Sequence, residues 1–132
     1  MKVEDFIDDV GNVKFRTAFR DSMYSVLKSK DESGIFNNLG HIFYTAFSIG
    51  YHFDKQVEIA KKSINHVNLV SLKERDMKEL IVVLVLKRKH DIKNPKDLWR
   101  EVEKYAEYGI QVLFNSWKEK GFIEIDEILE SS

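Results

Sequence analysis

Apolar residues recur at steps of three and four between residues 98 and 117, so they form one stripe along the face of a helix. The stripe consists of Leu98, Val102, Tyr105, Ala106, Gly109, Ile110, Leu113 and Trp117. Glycine inside a helix costs about 1 kcal/mol relative to alanine, so the central Gly109 indicates that another backbone comes close there. Pro95 suits the start of this helix, and Gly121 suits its end.

Two earlier segments carry the same helical period. A first helix is predicted from about Asn12 to Ser29, before the DESG tetrad at 31–34 breaks the pattern. A second helix, from about Asn37 to His52, is the most apolar one and is expected at the centre of the core. Small residues on two stripes allow helices to cross closely. We therefore predict that the second helix packs on the helix that begins at Pro95, through Ala46, Gly50, Ala106 and Gly109.

The remaining segments are less regular. Residues 57–70 follow neither a helical nor an alternating period, and we interpret them as a loop with a short helix or an extended piece. Ser71 and Glu74 form a capping box that predicts the start of a third helix. The apolar run at 80–86 suits either a helix or a buried strand, and the charged segment that leads into it favours a helix. The tail at 122–132 can form one short acidic helix.

These elements predict an all-α fold, a bundle of four to five helices with an optional short extended segment around 57–70. The chain has 132 residues, 43% of them hydrophobic, which fits a single domain over 1–132. The acidic segments at 1–11 and 122–132 are expected at its periphery. The longest apolar run is too short to span a bilayer, so the expectation is a cytoplasmic protein without membrane contact.

The residue types needed for catalysis are sparse. The chain has no cysteine, and none of its four histidines has another histidine four residues away. It carries no GxSxG, SxxK or glycine-rich phosphate loop. We therefore predict no catalytic residues, no bound metal and no cofactor, and expect that the protein is not an enzyme.

Two basic clusters are candidate nucleic-acid contacts. Cations at Lys14, Arg16 and Arg20 would share the first helix, where residues 16 and 20 are one turn apart. A second cluster follows the third helix and consists of Lys87, Arg88 and Lys89. Phosphate backbones bind such pairs, but a solvated helix surface is the favoured interpretation of the first cluster, since the acidic termini would repel a phosphate backbone. The second also suits a helix C-terminus, whose dipole attracts cations. Both interpretations stay open.

Three aromatic residues lie off the main stripe of the second helix. They are Tyr44, Tyr51 and Phe53. Exposed aromatic side chains on a small helical domain favour a second packing partner. That partner is either the 51–70 segment or another protein, and a second copy of this chain is one option.

Two segments together resemble a known family. Residues 35–56 and 99–113 are similar to two blocks of a small accessory protein family encoded beside DNA phosphorothioation genes, the backbone-sulfur modification systems that also serve in anti-phage defence. The residues that match the first block are Phe36, Phe43, Ala46, Gly50 and Tyr51. Those that match the second are Tyr105, Ala106, Gly109, Ile110 and Leu113. The resemblance implies a non-catalytic adaptor that binds other proteins of such a system. The two basic clusters give the alternative, a small DNA-binding module.

Overall fold

A computed structural model describes residues 14–30, 39–68 and 75–130. The elements in chain order are strand β1 (Lys14–Thr17), a π-helical turn (Arg20–Tyr24), helix α1 (Ser25–Lys30), helix α2 (Leu39–Phe53), a 3-10 turn (Lys61–Ser63), strand β2 (Asn65–Asn68), and helices α3 (Arg75–Arg88), α4 (Pro95–Lys120) and α5 (Ile125–Glu130). The predicted helical fold is confirmed in its coarse form. The two strands pair, however, so the protein is not a pure all-α bundle.

Strand β1 occupies residues 14–17, within the stretch predicted as the first helix. Its residues alternate between exposed or half-buried and buried, with Phe15 and Thr17 on the buried side. It pairs antiparallel with β2, where Phe15 faces Val67 and Arg16 faces His66. The prediction of a helix over this stretch is wrong because β2 supplies a hydrogen-bonding edge that the local period does not reveal. Helical geometry begins only at Arg20.

The predictions for residues 57–70, residues 80–86 and the tail agree with the observed elements. The expectation for the acidic segment at 1–11 lies outside the described residues. Residues 57–70 contain both a short helical turn and an extended piece, the strand β2. Residues 80–86 lie within helix α3, and the tail forms the short helix α5. The proposed capping box at Ser71 and Glu74 falls outside the described residues.

Helix α4 begins and ends where the sequence indicates. The Asn94 side chain accepts a hydrogen bond from the Asp97 backbone N–H at 2.9 Å and caps the N-terminus just before Pro95. At the other end Gly121 has φ 78° and donates its N–H to the Trp117 carbonyl at 2.7 Å. A left-handed residue of this kind is the usual helix stop.

The crossing of α2 and α4 forms the centre of the core. A Cβ atom on Gly109 would lie 1.6 Å from the Ala46 carbonyl oxygen, and one on Gly50 would lie 2.0 Å from that of Tyr105. Each helix therefore places a backbone carbonyl against a glycine of the other. Ala106 is also buried on this stripe. Aromatic rings surround the crossing, including Phe43, which stacks on Phe15 of β1 at 4.2 Å between ring centroids.

Candidate functional site

Two buried carboxylates on α4 hold β1 in place. Glu103 and Glu107 are one helical turn apart, with 2% and 1% of their surfaces exposed. Glu103 accepts the Arg16 backbone N–H at 2.6 Å and Arg16 Nε at 2.9 Å. Glu107 accepts the Thr17 hydroxyl at 2.6 Å and the Ala18 backbone N–H at 2.8 Å. Together they bind consecutive residues at the end of the strand.

Burial raises the pKa of both carboxyl groups. For Glu103, desolvation outweighs the hydrogen bonds and charge of Arg16, which lower its pKa. For Glu107, desolvation outweighs the bonds from Thr17 and Ala18, and the Glu103 charge raises its pKa further. The fully buried Tyr24 belongs to the same region: burial first, and then the two glutamates, raise its pKa well above the usual value. Within the described part of the chain its hydroxyl has no hydrogen-bond partner.

Sequence analysis missed this pair of glutamates. They occupy positions next to the apolar stripe, one turn apart, and that spacing was the available signal. The arrangement binds backbone N–H groups and a guanidinium, so its observed role is to attach the strand to the helix.

A cleft of about 660 Å³ opens beside this anchor, between α4 and residues 58–64. Its cations come from separate elements and are Arg16, Lys61, Arg100 and Lys104. Its acids are Glu58, Asp97 and Glu101. Ile59 and Ile64 are half-buried and supply apolar surface.

The charges in this cleft are only partly matched. Lys104 Nζ lies 3.1 Å from Glu58 and 3.2 Å from Glu101, so it is neutralised locally. No ion pair within 4 Å is formed by Arg100 or Lys61 with any residue the structure describes. Both side chains are exposed. The cleft therefore presents free positive charge toward solvent.

The first predicted basic cluster does not form one helix face. Lys14 and Arg16 lie on β1, where Arg16 Nη2 pairs with buried Glu103 at 2.9 Å. Arg20 lies on the following turn and pairs with Asp21 at 3.2 Å. The expectation that residues 16 and 20 point the same way along a helix is wrong, because a strand and a turn separate them.

The three cations of the second predicted cluster also have different surroundings. Lys87 is exposed at the end of α3. The Arg88 guanidinium lies 3.6 Å from the centroid of the Tyr51 ring and donates to the Tyr51 carbonyl. Lys89 Nζ lies 3.6 Å from Glu101 of α4. Tertiary structure thus brings one cation from each predicted cluster, Arg16 and Lys89, to the N-terminal half of α4.

The three aromatic candidates differ in exposure. The expectation that Tyr44 is exposed is wrong, since only 1% of its surface is accessible. Tyr51 and Phe53 are partly buried and pack against the core. The Tyr51 hydroxyl donates to the Leu84 carbonyl at 3.1 Å, so its ring joins α2 to α3. The buried face of α2 is wider than predicted, because Phe43 also stacks on Phe15 of β1 and Tyr51 also binds α3.

Within the described ranges, no three histidine, aspartate or glutamate side chains are grouped so that they could hold a metal ion. None of the helices there is both long and apolar enough to cross a membrane. A comparison of the chain with family models, curated proteins and solved structures gives no match.

Proposed function

We propose that this chain is a non-catalytic accessory protein that acts in the cytoplasm by binding another protein of a DNA-modification or anti-phage defence system. The observation that carries this proposal is that Glu103 and Glu107 bind strand β1 of the same chain. Within the described ranges, these are the two buried carboxylates with raised pKa values, features typical of catalytic acids. Both are occupied by β1, which supports a structural role for them. The resemblance of residues 35–56 and 99–113 supplies the cellular context.

The partner surface that we favour includes Phe122. This side chain is 55% exposed and follows the Gly121 stop of α4. Val83 on α3 is the other large apolar side chain exposed in the described part of the chain, at 47%. Aromatic side chains contribute strongly to protein interfaces when they enter a pocket on the partner. Tyr44 is too deeply buried for this role.

Co-expression with the products of the neighbouring genes tests the proposal. We expect at least one of them to co-purify with the wild-type chain, and Phe122→Ser to reduce its recovery. Glu119→Ser is the matched control, since Glu119 is an exposed residue near the end of α4. Recovery of the chain free of every neighbouring product under several buffer conditions would contradict the proposal.

A DNA-binding module is the second candidate, and the exposure of Lys14 and Lys87, which form no ion pair within 4 Å with any described residue, favours it. Neutralised phosphates release counterions, so an affinity based on these residues would fall steeply as salt rises. A mobility-shift assay with duplex DNA measures this, with Lys87→Gln compared with Lys118→Gln, an exposed lysine outside both clusters, as the control. The absence of a shift at low salt would exclude this candidate.

A further inference from the structure

We propose that the cleft between α4 and residues 58–64 binds a phosphate monoester. Arg16, Lys61 and Arg100 line it from a strand, a turn and a helix. This inference does not depend on the adaptor function, because it concerns a small ligand and a different surface from Phe122.

Arg16 is already oriented before a ligand arrives. Its Nε and Nη2 atoms both lie 2.9 Å from Glu103 Oε1, and its backbone N–H binds Oε2 of the same carboxylate. The side chain still keeps 29% of its surface exposed, on the cleft. A guanidinium held in this way needs little further ordering to bind an anion, and guanidinium matches phosphate geometry well.

The charge balance of the cleft favours an anionic group, because four lining cations face three lining acids among the described residues. Glu58 and Glu101 are matched by Lys104, and Glu101 also meets Lys89. Arg100 and Lys61 then remain as two cations with no acid within ion-pair distance in the described ranges. The negative charge of Asp97 offsets part of their positive charge, although one of its oxygens accepts a hydrogen bond from the Asn94 side chain at 2.7 Å. A phosphate monoester near neutral pH carries close to two negative charges.

The cleft is also large enough for more than a phosphate. Its volume of about 660 Å³ falls within the range of small-molecule sites, roughly 300–1,000 Å³. Ile59 and Ile64 give the organic part of a ligand an apolar surface to contact. A phosphate monoester of this size occurs both as a free nucleotide and as the 5′ end of a nucleic-acid strand, and the cations would bind either one.

Calorimetric titration of the purified chain distinguishes these sources. The probes are adenosine 5′-monophosphate, adenosine, and a short single-stranded oligonucleotide with either a 5′-phosphate or a 5′-hydroxyl. The test variant is Arg100→Gln, and a second variant is Lys61→Gln. Lys62→Gln is the matched control, because Lys62 is an exposed neighbour that does not line the cleft. The melting temperature of each variant verifies that it is folded.

We expect a phosphorylated probe to bind and its unphosphorylated counterpart to bind at least about tenfold more weakly. Arg100→Gln and Lys61→Gln should each weaken binding about tenfold, the factor typical of one charge-assisted hydrogen bond. Lys62→Gln should change it less than about twofold. Binding of the mononucleotide identifies a free ligand, and binding of the 5′-phosphorylated strand alone identifies a strand end. Equal binding of both oligonucleotides, equal effects of the three variants, or no binding would overturn the proposal.

Discussion

Glu107 is a buried carboxylate whose oxygens accept hydrogen bonds from the Thr17 hydroxyl and the Ala18 backbone N–H. In Glu107→Val both donors lose their acceptor in a buried site. We expect the free energy of unfolding to fall by about 1–3 kcal/mol, the usual cost of an unsatisfied buried polar group. Urea denaturation measures it. Glu119→Val, at an exposed position of the same helix, should change stability by less than about 0.5 kcal/mol. Equal effects of the two variants would contradict this account.

The raised pKa of Glu107 also predicts a pH dependence. Its carboxyl group binds a proton more tightly in the folded chain than in the unfolded one, where its pKa is near 4.5. The contribution of this group to stability is therefore complete below pH 4.5 and is lost as pH rises through the raised value. Glu107→Gln carries no titrating group at this position. We expect the free energy of unfolding of the wild type, relative to this variant, to decrease as pH rises.

Urea denaturation of both proteins across a pH series measures that difference. Glu103 is present in both proteins, so its own burial contributes equally to both, and its repulsion of Glu107, present only in the wild type, acts in the same direction as the expected decrease. A difference that is constant with pH, or that favours the wild type at higher pH, would show that Glu107 titrates near its ordinary value in the folded protein.

At the level of elements, the crossing of α2 and α4 depends on Gly109. The Ala46 carbonyl occupies the space that any side chain on Gly109 would need. We expect Gly109→Leu to destabilise the protein by about 1–3 kcal/mol through overpacking. Leucine has the better helix propensity, which alone would favour the variant by somewhat under about 1 kcal/mol.

Thermal unfolding decides which of these opposite effects is larger. Gly121→Ala is an informative comparison, because no atom lies within 4 Å of an added Cβ there and only the φ of 78° resists the change. Gly121→Ala should therefore lower the free energy of unfolding by about 1 kcal/mol, through backbone conformation alone. A raised melting temperature for Gly109→Leu would mean that α2 and α4 do not cross as closely as described.

At the scale of the whole molecule, Arg88 joins the end of α3 to α2. Its guanidinium lies on the Tyr51 ring and binds the Tyr51 carbonyl and Asp54, which in turn accepts from the Tyr105 hydroxyl at 2.8 Å. Arg88→Lys keeps the charge but loses the planar stacking. We expect it to lower the free energy of unfolding by about 1 kcal/mol, measured by urea denaturation. Lys87→Arg, at an exposed neighbouring position, should have almost no effect, and equal losses would exclude the stacking contribution.

The sequence by itself determined the main helices. The bounds of α4 follow from Asn94, Pro95 and Gly121, whose preferences act within a few residues of the helix ends. The helical period likewise indicated α2. The close crossing followed from Gly109, because a glycine in a helix has a cost that only a neighbouring backbone explains. All of these signals are local in the chain.

Only the tertiary structure decided the conformation of residues 14–17 and the place of the cleft. Strand β1 pairs with β2, and its Arg16 backbone N–H donates to Glu103, which is 87 positions away in the chain. A periodic pattern of hydrophobic residues carries no information about partners so distant in the chain. The same long-range packing buries Tyr44 and brings Arg16 near Arg100. The unpaired positive charge in the cleft therefore depends on which cations lie beside an acid in the folded protein. The order of residues along the chain does not specify those neighbours.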